Sequence, residues 1–160
     1  MSRDICIYQE FLTEAHKDQI QAAARETGFT PHFFTLDHYE EALDCVQHCE
    51  VLYAHSMELL RAAPAALRWY CCSYAGVELY CREPSPFANP DCLFTNTNVY
   101  GVTIAEHVVM VTLMLLRRMP EYTEVIRRKG WRSDLAIRSI RGSSFTILGT
   151  GDIGRHAAER

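Results

Sequence analysis

Five short apolar runs, set apart by amphipathic stretches, constrain this chain most. They are DICIY (Asp4–Tyr8), HFFTL (His32–Leu36), EVLYA (Glu50–Ala54), LRWYCCS (Leu67–Ser73) and CLFTN (Cys92–Asn96). None alternates strictly between polar and apolar residues, which is the pattern of strands buried on both faces. The intervening stretches read as helices. Thr13 is placed to cap a helix over Glu14–Thr27, and Gly28 to end it in the left-handed conformation. Ile20, Ala23, Ala24 and Thr27 fall on one side of that helix. Asp37 and Glu40 read as a capping box ahead of Ala42, Leu43 and Val46. Ser56 is placed to cap a short helix carrying Leu59 and Leu60, which stops before Pro64. A repeated strand–helix order needs parallel strands joined by right-handed crossovers, with helices on both faces of one sheet.

The expected fold class is therefore α/β: a small, flavodoxin-like, doubly wound parallel sheet over residues 1–100. A proline-rich loop, EPSPFANPD, leads into its last strand. Charge changes near the same boundary. The net charge is −4, yet residues 1–100 hold 6 Lys and Arg against 14 Asp and Glu, and residues 101–160 hold 10 against 6. Beyond Gly101 a long helix is expected from Thr103 to about Met119, ended by Pro120. Ala105, Val108, Val109, Thr112, Leu113, Leu115 and Leu116 make it apolar around most of its girth, as in a helix between two domains or two subunits. Residues 121–142 read as a basic, irregular arm anchored by Trp131. A further strand is expected at Phe145–Leu148.

That strand would feed GTGDIG, with glycines at 149, 151 and 154. Each glycine has its own task in a strand–turn–helix unit that binds a dinucleotide. Gly149 allows the tight turn, Gly151 lets the backbone approach a pyrophosphate, and Gly154 lets the helix pack close to the strand. The amides of Asp152 and Ile153, at the positive end of the helix, would meet the phosphates. The Asp152 carboxylate is an unexpected neighbour for a dianion unless it points outward. The acidic residue that would read the ribose, about 20 residues further on, has no position here, because six residues follow Gly154. The turn is thus expected to be one part of a nucleotide site.

Other chemistries find less support. The 7 cysteines are an odd number without a C-x-x-C pair, so a reducing, cytoplasmic setting without paired disulfides is expected. Cys45 and Cys49, with His48 between them, read as small buried apolar residues on a helix; zinc would need further ligands that the spacing does not supply. No secretory leader is visible, and the most apolar stretch, VVMVTLMLL, is too short to span a bilayer. The chain is acidic overall, so the basic run of Arg127, Arg128, Lys129, Arg132, Arg138 and Arg141 reads as a solvated arm and no nucleic-acid partner is expected.

Three stretches, LRWYCCSYAGVE, LFTNTNVYGVTIAEHVVMVTLMLLRRMPEY and RGSSFTILGTGDIGR, occur in order and together resemble the D-isomer-specific 2-hydroxyacid dehydrogenases. The resemblance implies a flavodoxin-like substrate domain over 1–100, an interdomain helix over 101–120, and an arm with the opening of a Rossmann domain over 121–160. It implies an NAD or NADP cofactor and hydride transfer between small D-2-hydroxy acids and 2-keto acids. It also implies a homodimer through residues 101–145. In such enzymes an arginine, a glutamate and a histidine carry the catalysis, and none of the three matches a residue here, so the 160 residues alone are expected to be inactive. His107, at a helix start, reads as structural. The loop Ser73–Val77 is the part that carries over: backbone amides of Ala75, Gly76 and Val77 would bind the substrate carboxylate. Glu78 stands where the family pattern usually has aspartate. Tyr53 and His55, at the end of the third strand, would shape selectivity, with Tyr53 equally suited to the core. A rival reading makes the chain a stand-alone interaction module, or a dinucleotide-sensing scaffold of the corepressor type.

Overall fold

The computed structural model describes residues 3–160. These divide into two compact units, the first ending at Thr97 and the second spanning Asn98–Arg160. The first holds β1 (Asp4–Tyr8), α1 (Glu14–Thr27), β2 (Thr30–Phe34), α2 (Tyr39–Val46), β3 (Val51–Ala54), α3 (Met57–Ala62), β4 (Trp69–Cys72) and β5 (Leu93–Thr95). The strands form one sheet in the order β2-β1-β3-β4-β5, and every pair is parallel. This is the doubly wound α/β sheet expected from the alternation. The order reverses at β1, so right-handed crossovers set α1 on one face and α2 and α3 on the other.

Local chemistry fixes the elements. The Thr13 hydroxyl accepts the His16 amide at 3.3 Å and His16 Nδ1 accepts the Thr13 amide at 3.3 Å, closing a box in which histidine takes the acidic partner's place. Gly28 ends α1 at φ +73°. The Ser56 hydroxyl accepts the Leu59 amide at 3.2 Å and starts α3. The core lies between the sheet and the α2/α3 layer, where Cys6, Val46, Leu52, Leu59, Leu60, Tyr70 and Cys72 are buried. Burying each large member stabilises the fold by about 1.5–3 kcal/mol. Tyr70, Tyr80, Phe87 and Phe94 form an aromatic cluster with several ring centroids 5.2 to 6.0 Å apart.

Several expectations in this unit need correcting. β2 begins two residues earlier than expected and includes Pro31, which an edge strand tolerates. Asp37 and Glu40 make no capping box. A single 3-10 turn over Leu36–His38 precedes α2, and the Thr35 hydroxyl bonds His38 Nδ1 at 2.8 Å. α2 stops at Val46, so Cys49 lies in the following turn rather than on the helix with Cys45. All seven thiols are free.

The second unit holds α4 (Gly101–Leu116), α5 (Met119–Arg127) and α6 (Asp152–Glu159). Pro120 opens α5 instead of simply ending a helix, because proline suits a first helical turn. The chain turns between α4 and α5 at Arg118, φ +57°. Part of the expected irregular arm is therefore helical. Trp131 is 92% exposed and anchors nothing within this unit. Residues 145–148 form no strand, since none of the five strands pairs with them. On α4 the buried residues are Gly101 and Ala105, while Val102, Ile104, Met110, Leu113, Met114 and Leu115 are exposed. No helix among the described residues is long and apolar enough to cross a membrane.

Candidate functional site

Two separate places carry candidate chemistry. One is the carboxyl end of the parallel sheet, where this architecture binds ligands. The loop after β4 is held open by its neighbours. The Asn96 side-chain amide donates to the Ala75 carbonyl at 2.8 Å, and the Thr97 amide donates to the Tyr74 carbonyl at 3.4 Å. The Val77 carbonyl accepts the Tyr80 and Cys81 amides at 2.9 and 3.2 Å, which folds the segment into a tight turn. Ala75 and Gly76 are exposed and Val77 is half-buried. A methyl on Gly76 would sit 3.1 Å from Glu78 Oε2, the end of an exposed side chain that can move aside.

Tyr53, half-buried in β3, is in register with Ile7 and Cys71. His55 follows β3 and stacks on Tyr74 of the loop, with centroids 4.0 Å apart and 22° between planes. Its Nδ1 lies 3.1 Å from the Tyr80 hydroxyl and 3.6 Å from Cys72 Sγ. The buried Tyr70 hydroxyl donates to Tyr80 at 3.1 Å. Burial, with the hydrogen bond Tyr70 donates, pushes the Tyr70 phenol above its ordinary range. Burial also raises Tyr80, and the bond it accepts from Tyr70 partly offsets this. Both phenols stay protonated near neutral pH.

One residue here escapes sequence reasoning. Gln9, just past β1, is 8% exposed, and its Nε2 has no hydrogen-bond partner. Gln9 and Ser73 are the buried polar residues among those described. The cue in the sequence is slight: a polar residue at the carboxyl end of a central strand.

The second place is the glycine turn. Gly149 has φ +103°, a conformation that side chains strain. Gly151 caps α6, and a methyl there would point into open space, as close approach by a ligand requires. A methyl on Gly154 would run into the Gly149 carbonyl oxygen, and would also meet Ile147 at 3.4 Å. The Arg155 amide closes the first helical bond, on the Gly151 carbonyl at 2.9 Å. The amides of Asp152 and Ile153 precede it and lack an intrahelical acceptor. Asp152 explains itself by direction. Its carboxylate lies 3.4 Å from His156 Nε2 and 4.0 Å from Arg155 Nη2, packed against Gly101 at the start of α4. Its charge therefore meets the Arg155 guanidinium, the His156 ring nitrogen and the positive end of a helix.

The basic run is partly neutralised: Arg127 and Arg128 pair with Glu124, and Arg132 pairs with Asp134. Among the described residues no group of three or more His, Cys, Asp or Glu could hold a metal ion.

Residues 109–160 match the family model described as the NAD binding domain of D-isomer specific 2-hydroxyacid dehydrogenases. A D-isomer specific 2-hydroxyacid dehydrogenase family protein from Aeromonas salmonicida subsp. salmonicida is 26% identical, with a TM-score of 0.76 over 99% of this chain and 49% of that one. Two others share the fold. A glyoxylate reductase from Paecilomyes thermophila is 17% identical, with a TM-score of 0.66 over 99% of this chain and 52% of that one. The NAD-complexed D-isomer specific 2-hydroxyacid dehydrogenase from Lactobacillus delbrueckii ssp. bulgaricus is 19% identical, with a TM-score of 0.59 over 98% and 49%. The chain thus spans about half the length of these structures. A comparison with curated proteins finds no match. The resemblance drawn from the three sequence stretches is borne out, and so is its cofactor class, NAD or NADP.

Proposed function

We propose that this chain supplies the acid-binding domain and the first part of the dinucleotide-binding domain of an NAD(P)-dependent 2-hydroxyacid dehydrogenase. Residues 1–100 hold the acid, 101–120 form the interdomain helix, and 121–160 carry the arm and the opening of the nucleotide fold. The observation that carries the reading is the glycine turn: Gly154 packed on the Gly149 carbonyl, with open space at Gly151, within a segment that matches an NAD-binding family.

Each part has a physical task. The amides of Ala75, Gly76 and Val77 hold the carboxylate of a small D-2-hydroxy or 2-keto acid. Tyr53 and His55 shape the space beyond it. Gly149, Gly151 and Gly154, with the amides of Asp152 and Ile153, receive the pyrophosphate of NAD or NADP. The bound nicotinamide supplies the hydride chemistry. The arginine, glutamate and histidine expected for proton transfer have no counterpart in these residues, so the 160 residues alone do not turn over. The exposed apolar residues of α4 are covered in a homodimer, and the enzyme works in the cytoplasm without nucleic acid or membrane.

Titration of the ¹⁵N-labelled chain with pyruvate is the test. The amides of Ala75, Gly76 and Val77 are expected to shift, and NADH or NADPH oxidation with glyoxylate, hydroxypyruvate or pyruvate is expected to be absent. Unmoved loop amides would contradict the acid site. Measurable turnover would contradict the division of labour.

A further inference from the structure

We propose that Cys6 and Cys45 are a modification site, a thiol pair that reacts with hydroperoxides: Cys45 takes the oxygen, and Cys6 then closes a disulfide on it.

The pair follows from the packing of α2 on β1. Cys6 has no exposed surface, and its Sγ lies 3.6 Å from the Ala42 carbonyl oxygen on α2. A helical carbonyl points toward the C-terminus of its helix, into the turn formed by the residues three and four further on. For Ala42 these are Cys45 and Val46. A group that touches this carbonyl from the sheet stands beside the Cys45 side chain, and the two thiols share a hydrogen bond. Cys45 is half-buried, so it has a buried neighbour on one side and a path to solvent on the other.

The surroundings divide the roles. Cys6 is in register with His32 on β2, and the Asp4 carboxylate lies 3.0 Å from His32 Nε2. Alternate residues of a strand share a face, so Asp4, Cys6 and His32 face α2 together. The hydrogen bond from Cys6 holds the Cys45 thiol below its ordinary value; burial opposes it, and His32 adds to it. Cys6 is pushed upward by the same hydrogen bond and by burial. The thiolate, which is the nucleophile, therefore forms at Cys45, the sulfur that a peroxide can reach, while Cys6 keeps its proton. Cys49 is buried nearby, and its thiol donates to the Val46 carbonyl at 3.4 Å.

The chemistry balances with a hydroperoxide as the oxidant. The Cys45 sulfur attacks the outer peroxide oxygen. The S–O bond forms, the O–O bond breaks, and the alkoxide leaves to take up the proton that Cys45 released. Cys45 is then a sulfenic acid and the peroxide is reduced to an alcohol. The Cys6 sulfur attacks the Cys45 sulfur, the S–S bond forms, and hydroxide leaves as water with the Cys6 proton. Two thiols and one hydroperoxide give one disulfide, one alcohol and one water. The new bond ties β1 to α2, and a dithiol reverses it.

The test treats the native 160-residue chain with limiting hydrogen peroxide, alkylates the remaining thiols and reads the peptides by mass spectrometry. Cys81 is the internal control, because it is exposed and accessibility alone would make it react first. Linked Cys6–Cys45 peptides are expected to appear while Cys81 is still reduced, and to vanish with dithiothreitol. Cys6→Ala is expected to stop at a Cys45 sulfenic acid, captured by dimedone. Cys45→Ala is expected to slow the oxidation of Cys6 about 10-fold or more, since the thiolate is lost. Oxidation of Cys81 ahead of the pair, a disulfide made by Cys49 or between chains, a Cys6 that stays reduced in the wild type, or dimedone captured elsewhere in Cys6→Ala would overturn the proposal. If either variant does not fold, the order of oxidation in the wild type decides alone.

Discussion

At the scale of single residues, glycines and buried thiols set the sharpest constraints. A methyl on Gly154 meets a backbone carbonyl, which cannot rotate away as a side chain can. Gly154→Ala is therefore expected to displace the 149–151 turn, at about 1–3 kcal/mol of overpacking. Amide shifts confined to the turn and α6 would verify it. Cys49 shows the opposite kind of constraint. Burial raises its thiol from the ordinary 9.0 up to about 12. The unfolded chain then releases this proton at lower pH than the folded one, so the stability it contributes is present below pH 9.0 and is lost as pH rises toward about 12. Cys49→Ala is expected to flatten that alkaline loss in urea melts recorded across the window. An unchanged slope would assign the loss to other groups, such as the raised Tyr70 phenol.

At the scale of elements, capping decides where helices begin, and tight packing decides what they touch. Thr13→Ala removes the hydroxyl that accepts the His16 amide, and is expected to cost about 1 kcal/mol in a denaturant melt. Gly101 lies under the Asp152 carboxylate and the His156 ring. Gly101→Ala is expected to loosen α6 from α4, seen as faster amide exchange across Asp152–Glu159. β1 and α1 were legible residue for residue, because an apolar run, a threonine cap and a left-handed glycine are all local signals. The start of α2 was not, because Asp37 and Glu40 match a pattern that a competing Thr35–His38 contact displaces. Pro120 misled for a related reason: proline ends one helix and begins another equally well, and only the turn at Arg118 decides between them. The strand expected at Phe145–Leu148 needs a neighbour for its backbone bonds, and composition cannot show whether one pairs with it.

At the scale of the whole molecule, the sheet was foreshadowed by alternation and the candidate turn by glycine spacing, whereas the candidate loop at Ala75–Val77 came from the family resemblance alone. Gln9 was not foreshadowed, since its significance is burial without a partner, which no local pattern announces. The long helix was read correctly as apolar on most sides, yet Met110, Leu113, Met114 and Leu115 face solvent. An apolar surface of that kind favours association. Met110→Lys with Leu115→Lys is expected to convert a self-associating species into a monomer by light scattering, with the melting temperature little changed. A wild-type chain that scatters as a monomer would contradict the homodimer.

The central claim is that residues 149–154 receive a pyrophosphate. NADH titrated into the ¹⁵N-labelled chain tests it most directly. The account predicts that the amides of Gly151, Asp152 and Ile153 shift together, and that Gly154→Ala abolishes the response. Amides in the turn that stay unmoved while NADH shifts signals elsewhere, or that respond equally in the variant, would contradict it.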